Sequence, residues 1–289
     1  MPKAAPKAGV VGKIEEINAK REERRAALAK VKTEKKEKTE ANKAMGIHTD
    51  VDFEVMINNE RFKEHMLTHH VESSKVRLCV NIRKRPLFPR DIKAGEIDAV
   101  SCANPSIKVH EPKFKVDGIT KYIENHSFNF DNAYNENETT DTIYEYSLSP
   151  LIDKLYKKAT VTVFAYGQTG SGKTFTMKGI HNSAVNEIFS HKMHNGKNTR
   201  VFMSFFEIYG GKCFDLLNKN NKVRILEDKN HKVQIPGLTE HEVDTTEDMH
   251  KVIEFGHDAR TTHKTKSNDT SSRSHAICYV TLKDKNDNF

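Results

Sequence analysis

The chain has 289 residues, 36% of them hydrophobic and 30% charged, with a net charge of +7 and a mean hydropathy of −0.71. That length can bury a core without disulfides or a structural metal, and it allows one or two domains. No stretch approaches the roughly 18 apolar residues of a membrane-spanning helix, and the start leads into no apolar signal segment, so the sequence reads as a soluble intracellular protein.

The first fifty residues carry 13 basic and 8 acidic side chains, so most of the net charge sits there. Residues 1–12 read as a disordered leader. Residues 13–44 are dense in Ala, Glu, Lys and Arg, without Pro or Gly, and predict a helix. Ile14, Ile17, Arg21, Arg24, Leu28 and Val31 fall at the alternating steps of a coiled-coil seam. Two of the six are Arg, which favours a solvated, charge-laced helix. Gly46 to Asp50 breaks it. A second amphipathic helix follows through Phe53, Met56, Ile57, Phe62 and Met66, with Asp50 or Asp52 as its cap.

Val76–Ile82 alternates and predicts a strand that ends at Arg83-Lys84-Arg85-Pro86. Short strands are expected around Ala99–Ser101, Ile107–His110 and His126–Phe130, and a helix over 137–157. Thr160–Tyr166 is a continuous apolar run, the pattern of a buried central strand. Arg200–Tyr209 and Ala276–Leu282 read as strands and Asp244–Gly256 as a helix, an order that argues an α/β sheet covered by helices. Cys79, Cys102, Cys213 and Cys278 show no metal spacing and read as reduced, mostly buried thiols.

Directly after the apolar run, Gly167-Gln168-Thr169-Gly170-Ser171-Gly172-Lys173-Thr174 fits G-x-x-x-x-G-K-[ST]. Glycines let the backbone curl so that its N–H groups face phosphate oxygens. Lys173 would reach the β- and γ-phosphates and the Thr174 hydroxyl would ligate Mg²⁺. The following helix would direct its positive end at the same anion. A second cluster, Asn268-Asp269-Thr270-Ser271-Ser272-Arg273-Ser274-His275, sets hydroxyls around one Arg just before a strand. Small hydroxyls can hold a metal-bound water and an attacking water without adding charge.

With these two clusters, the R-x-R-P run Arg83–Pro86 and the F-x-F-D run Phe128-Asn129-Phe130-Asp131, the sequence resembles the kinesin motor domain. Lys115-Val116-Asp117, in the hairpin loop before Phe128, resembles the mark of the kinesin-13 class, whose members disassemble microtubules rather than walk. The resemblance implies a P-loop nucleoside triphosphatase fold: a central, mixed, mostly parallel sheet with helices on both faces, behind a charged helical neck. The implied divisions are a basic neck extension over 1–50, a neck helix and linker over 51–75, and a partial motor domain over 76–289.

By the same resemblance, Arg83, Arg85 and Pro86 border adenine, with Phe175 packing on it where the family usually has His. Gly167 through Thr174 hold ATP, with Mg²⁺ on Thr174 and Ser272. Asn268, Ser271, Ser272 and Arg273 form switch I, which senses the γ-phosphate and places water. Lys115, Val116 and Asp117 would press on tubulin, and Lys222, Arg224, Lys229 and Lys232 lie where the family has a hairpin that meets it. The implied partners are tubulin and microtubules rather than nucleic acid or membrane, any homodimer forming through segments outside this chain. The implied location is the cytoplasm and its microtubule cytoskeleton: filament ends, spindle or cilium. No Asp is followed by Gly three residues later, so the D-x-x-G element of switch II is expected beyond this chain. The resemblance then covers about the first two-thirds of a motor domain. A fragment that binds nucleotide or tubulin without turnover is the alternative. A small GTPase is disfavoured by the lack of N-K-x-D.

Overall fold

The computed structural model describes residues 10–61, 69–195, 199–262 and 274–284. They fall into two compact units, one of residues 1–68 and 86–129, the other of 69–85 and 130–289.

In the first unit, α1 (Val10–Ala44) is a single helix of 35 residues, about 52 Å long at 1.5 Å per residue. Its Ile17, Leu28 and Val31 are all exposed, as a charge-laced solvated helix requires. Gly46, at φ +71°, ends the turn after it. Asp50 caps α2 (Val51–Arg61), its Oδ1 accepting from the N–H groups of Asp52 at 3.0 Å and Phe53 at 3.3 Å. A short helix α3 (Pro89–Lys93) leads into three antiparallel strands, β2 (Val100–Ala103), β3 (Ser106–Phe114) and β4 (Lys121–Asn129). Pro112 is tolerated in β3 because β2 ends before it, so no ladder bond needs its missing N–H.

α2 packs on this sheet through the buried Val51, Phe53 and Ile57. A polar chain stitches the elements together. Buried His110 on β3 meets Ser101 Oγ at 2.7 Å and Asn125 Oδ1 at 2.6 Å, and Asn125 donates to Glu60 of α2 at 3.0 Å. Ion pairs add to it: Lys38 with Glu54 at 2.8 Å, Lys121 with Asp50 at 2.6 Å, and Lys35 with Asp52.

In the second unit, β1 (Asn81–Arg83) pairs in parallel with β5 (Asn132–Tyr134). The strand expected from Val76 is this short because β5 offers only three residues to pair with; Leu78 and Val80 stay exposed. The helix expected over 137–157 is two, α4 (Thr140–Ser147) and α5 (Ser149–Tyr156), since Pro150 cannot donate the bond that would continue the first. α6 (Lys173–Asn195) runs without interruption. β6 (Arg200–Tyr209) turns back at Gly210-Gly211 into β7 (Lys212–Asp215), which pairs with β8 (Asn221–Val223). β9 (Leu226–Glu227) and β10 (Val233–Gln234) form a separate hairpin. β11 (His241–Val243) and β12 (Ser274–Lys283) both pair antiparallel with β6, β12 along its whole length. α7 (Thr246–Thr262) lies between them in sequence. The core of this unit joins α4 to α7 with the sheet, around Tyr144, Ile152, Val185, Val201, Met203 and Ile253.

The α/β fold with mixed pairing is as expected, but among the described residues parallel pairing is confined to β1 and β5. A two-residue connection such as Gly210-Gly211 permits only an antiparallel neighbour. The buried strand expected at Thr160–Tyr166 also does not form. Among the described residues no strand pairs with it. Val161 and Val163 pack on the core, whereas Phe164 is 75% and Tyr166 97% exposed. A continuous apolar run is buried on both faces only when ladders flank it. None of the four cysteines forms a disulfide, and burial pushes the Cys278 thiol up to about 12. No described helix is long and apolar enough to cross a membrane.

Candidate functional site

The loop Gly167–Gly172 curls into the first turn of α6, which opens at Lys173. Gly170 and Gly172 take φ of +82° and +97°, left-handed conformations that a side chain would strain. Among the described residues of this loop only the Ser171 N–H has a backbone partner, the Gln168 carbonyl at 3.2 Å. The remaining donors, with the free N–H groups of the first helical turn, form an anion cradle. Lys173 folds back over it, its Nζ donating to the carbonyls of Gly167 at 2.7 Å and Gln168 at 2.8 Å. An ammonium that spans the mouth of a curl of N–H groups fits a polyphosphate. Gln168, Thr169, Ser171 and Thr174 are exposed around it.

The R-x-R-P run borders this loop from β1. Arg83 donates to Thr140 Oγ1 at 2.9 Å, Thr176 Oγ1 at 3.0 Å and the Glu138 carbonyl at 3.3 Å. Its guanidinium lies 5.3 Å from the centre of the Phe175 ring. Arg83 therefore ties β1 to the starts of α4 and α6 and holds the exposed aromatic face beside the cradle. Arg85 donates to the Gly170 carbonyl at 3.3 Å, and Pro86 after it is exposed. The structure thus brings Arg83, Arg85, Phe175 and the whole Gly167–Thr174 loop together.

Asn268, Ser271, Ser272 and Arg273 lie outside the described residues. The start of β12, directly after Arg273, takes part in a contact that the sequence reading missed. Arg260, near the end of α7, meets Glu207 of β6 at 3.2 Å and Ser274 at 3.2 Å to Oγ and 3.4 Å to its carbonyl. Ser274 opens β12, so Arg260 anchors the C-terminal end of the segment expected as switch I. The available signal was a carboxylate inside the apolar run of β6, which needs a cation when buried. These groups, with Thr174, Lys178 and His257, line a cavity of about 850 Å³.

Lys115, Val116 and Asp117 sit at the exposed tip between β3 and β4, where Phe114 pairs with Lys121. Lys222 is on β8, Arg224 just after it, and Lys229 and Lys232 in the turn between β9 and β10; all four are exposed. Asp228 shapes that turn, its Oδ1 accepting from the N–H groups of Asn230 at 2.8 Å and Lys232 at 3.0 Å. The β9–β10 turn thus holds Lys229 and Lys232, whereas Lys222 belongs to the β7–β8 pair and Arg224 to the link between the two.

The family model of the kinesin motor domain matches residues 83–289. The diatom spindle kinesin-1 of Cylindrotheca fusiformis is 38% identical over 279 residues, 94% of this chain and 45% of that protein. A solved structure of a fast kinesin is similar with a TM-score of 0.63 at 29% identity, covering 74% of this chain and 60% of that one. The chain spans about half the length of these relatives. With the phosphate cradle, the bordering arginines and this match, the chain belongs to the kinesin motor-domain family.

Proposed function

We propose that this chain is the nucleotide- and tubulin-engaging part of a kinesin-13-type motor, which couples ATP hydrolysis to disassembly of microtubule ends. The observation that carries the depolymerising reading is the Lys115-Val116-Asp117 tip, held out on the hairpin that also seats the neck helix α2. The nucleotide reading is supported by the curl from Gly167 to Thr174 and the Lys173 ammonium across it. Bound ATP with Mg²⁺ supplies the phosphoanhydride bond and the cation that offsets its charge. In this chain the loop N–H groups and Lys173 would hold the phosphates. Thr174 and Ser272 would offer hydroxyls to the metal, and the Arg83–Phe175 pair would receive the adenine. Asn268, Ser271 and Arg273 would place the attacking water. Lys222, Arg224, Lys229 and Lys232 would steer the chain to the acidic surface of tubulin, a salt-sensitive attraction. The cytoplasmic microtubule cytoskeleton is the corresponding location.

The test is the length of stabilised microtubules against time with ATP, for the parent and Lys173→Ala, alongside ATP affinity. Removing a charge-assisted contact to phosphate costs about 1.5–3 kcal/mol, so affinity should fall roughly tenfold to a hundredfold and shortening should stop. ATP turnover without shortening would refute the depolymerising reading. ATP binding without turnover would leave a binding fragment, and undiminished affinity in Lys173→Ala would refute the phosphate site.

A further inference from the structure

The loop between β3 and β4 is six residues, Lys115–Thr120, and its geometry divides the labour among them. Both oxygens of the Asp117 carboxylate are engaged inside the loop. Oδ1 accepts from the N–H groups of Ile119 at 2.9 Å and Thr120 at 2.8 Å, and Oδ2 accepts from the Thr120 hydroxyl at 2.6 Å. The backbone closes the same turn: the Lys115 N–H donates to the Thr120 carbonyl, and the Gly118 N–H to the Lys115 carbonyl, both at 2.8 Å. An Asp that accepts from N–H groups two and three residues on is building a turn.

What the braced turn presents outward is aliphatic. Val116 is 108% exposed and Ile119 is 82% exposed, one on each side of Asp117. The base of the loop is pinned by the neck. Phe114 meets Phe53 of α2 edge-on at 5.3 Å, and Lys121 is bonded to Asp50 and lies 4.8 Å from the Phe53 ring centre. A loop held at its centre and at both ends loses little freedom on binding, so its apolar contacts count more fully toward affinity.

We infer that Val116 and Ile119 together form the apolar contact the tip makes with tubulin, that Lys115 adds the charge, and that Asp117 is a positioning residue that never touches the partner. This rests on the tubulin-engaging reading above. It departs from the sequence-based view of Lys115, Val116 and Asp117 as three equivalent contacts, and it adds Ile119. The complementary surface is an apolar crevice beside acidic groups.

The test is affinity for unpolymerised tubulin heterodimers, with amide hydrogen exchange on the loop and ATP binding as a check on folding. Val116→Ala and Ile119→Ala should each weaken binding by about three- to thirtyfold. Asp117→Asn should bind within about twofold of the parent, because its amide oxygen still accepts from Ile119 and Thr120. Asp117→Ala should weaken binding and speed exchange at the Ile119 and Thr120 amides. Unchanged binding by Ile119→Ala would overturn the inference while leaving the tubulin reading in place. So would Asp117→Asn binding as weakly as Asp117→Ala with loop protection intact, since that outcome marks a charge contact. A folded parent that binds no tubulin would overturn both.

Discussion

Replacing Arg260 with Ala should destabilise the second unit well beyond what a surface ion pair would. Glu207 sits in the middle of the sheet, its side chain 11% exposed, with Arg260 at 3.2 Å and 24% exposed. Breaking a fully buried pair by removing one partner costs about 3–5 kcal/mol, because the other charge stays behind unpaired. Arg260 is a quarter exposed, so water can reach part of the vacated space, and about 2–3 kcal/mol is the expected loss. For a unit of this size that lowers Tm by roughly 4–12 °C. The assay is urea unfolding followed by far-ultraviolet circular dichroism, on Arg260→Ala and on the double variant Glu207→Gln, Arg260→Met. The double variant removes both charges and should recover to within about 1 kcal/mol of the parent. Arg260 also bonds Ser274, so the single variant should lose ATP turnover more than ATP affinity. A loss under about 0.5 kcal/mol, or a double variant no better than the single, would refute the view that Glu207 is a buried charge in need of its partner.

Gly256→Ala in α7 should destabilise although Ala is the better helix former by about 1 kcal/mol. The added Cβ would lie 2.6 Å from Cγ of Phe205, which is buried on β6 and cannot move aside, so overpacking of about 1–3 kcal/mol wins. A stabilised Gly256→Ala in the same urea titration would show that the helix can shift away. His181 gives a pH dependence. Burial, with a smaller contribution from His257, pushes it down to about 4. The unfolded chain takes up this proton near pH 6.5, so stability is full above that value and falls as pH drops from 6.5 to 4, by about 3 kcal/mol in all. His181→Phe should flatten that part of the stability profile. A profile as steep as the parent's would assign the loss to other groups.

The curl of the Gly167–Thr174 loop was legible because its requirements are local. Positive φ at Gly170 and Gly172, a Lys and a hydroxyl at fixed offsets are all requirements of one short loop. β6 was legible to the residue because seven of its ten residues are apolar, most of them β-branched or aromatic. The helices α1 and α2 and the Asp50 cap followed from composition and a single polar signal. Failures came where structure depends on a partner distant in sequence. Val76–Val80 alternates like a strand, but in the parallel register β5 begins only at Asn132, opposite Asn81. The Arg260–Glu207 pair joins residues 53 apart and has no motif. The hydrogen bonds by which Asp117 braces its own loop, though close in sequence, leave no trace in a three-letter motif.

Thr160–Tyr166 bears on how the chain behaves at high concentration. Thr-Val-Thr-Val-Phe-Ala-Tyr is seven residues of high β-propensity, uncharged and free of proline. Among the described residues no strand pairs with it, and Phe164 and Tyr166 face outward. Such a segment is a template for stacking copies of itself, each supplying the backbone partners the next one lacks. Natural sequences flank such runs with a lysine or a proline; here Lys157 and Lys158 stand before it, and the first charged residue after it is Lys173, whose ammonium is bonded to the Gly167 and Gln168 carbonyls. The stretch that leads into the Gly167–Thr174 loop is therefore also a fibril-prone segment, with charge close by on its N-terminal side alone.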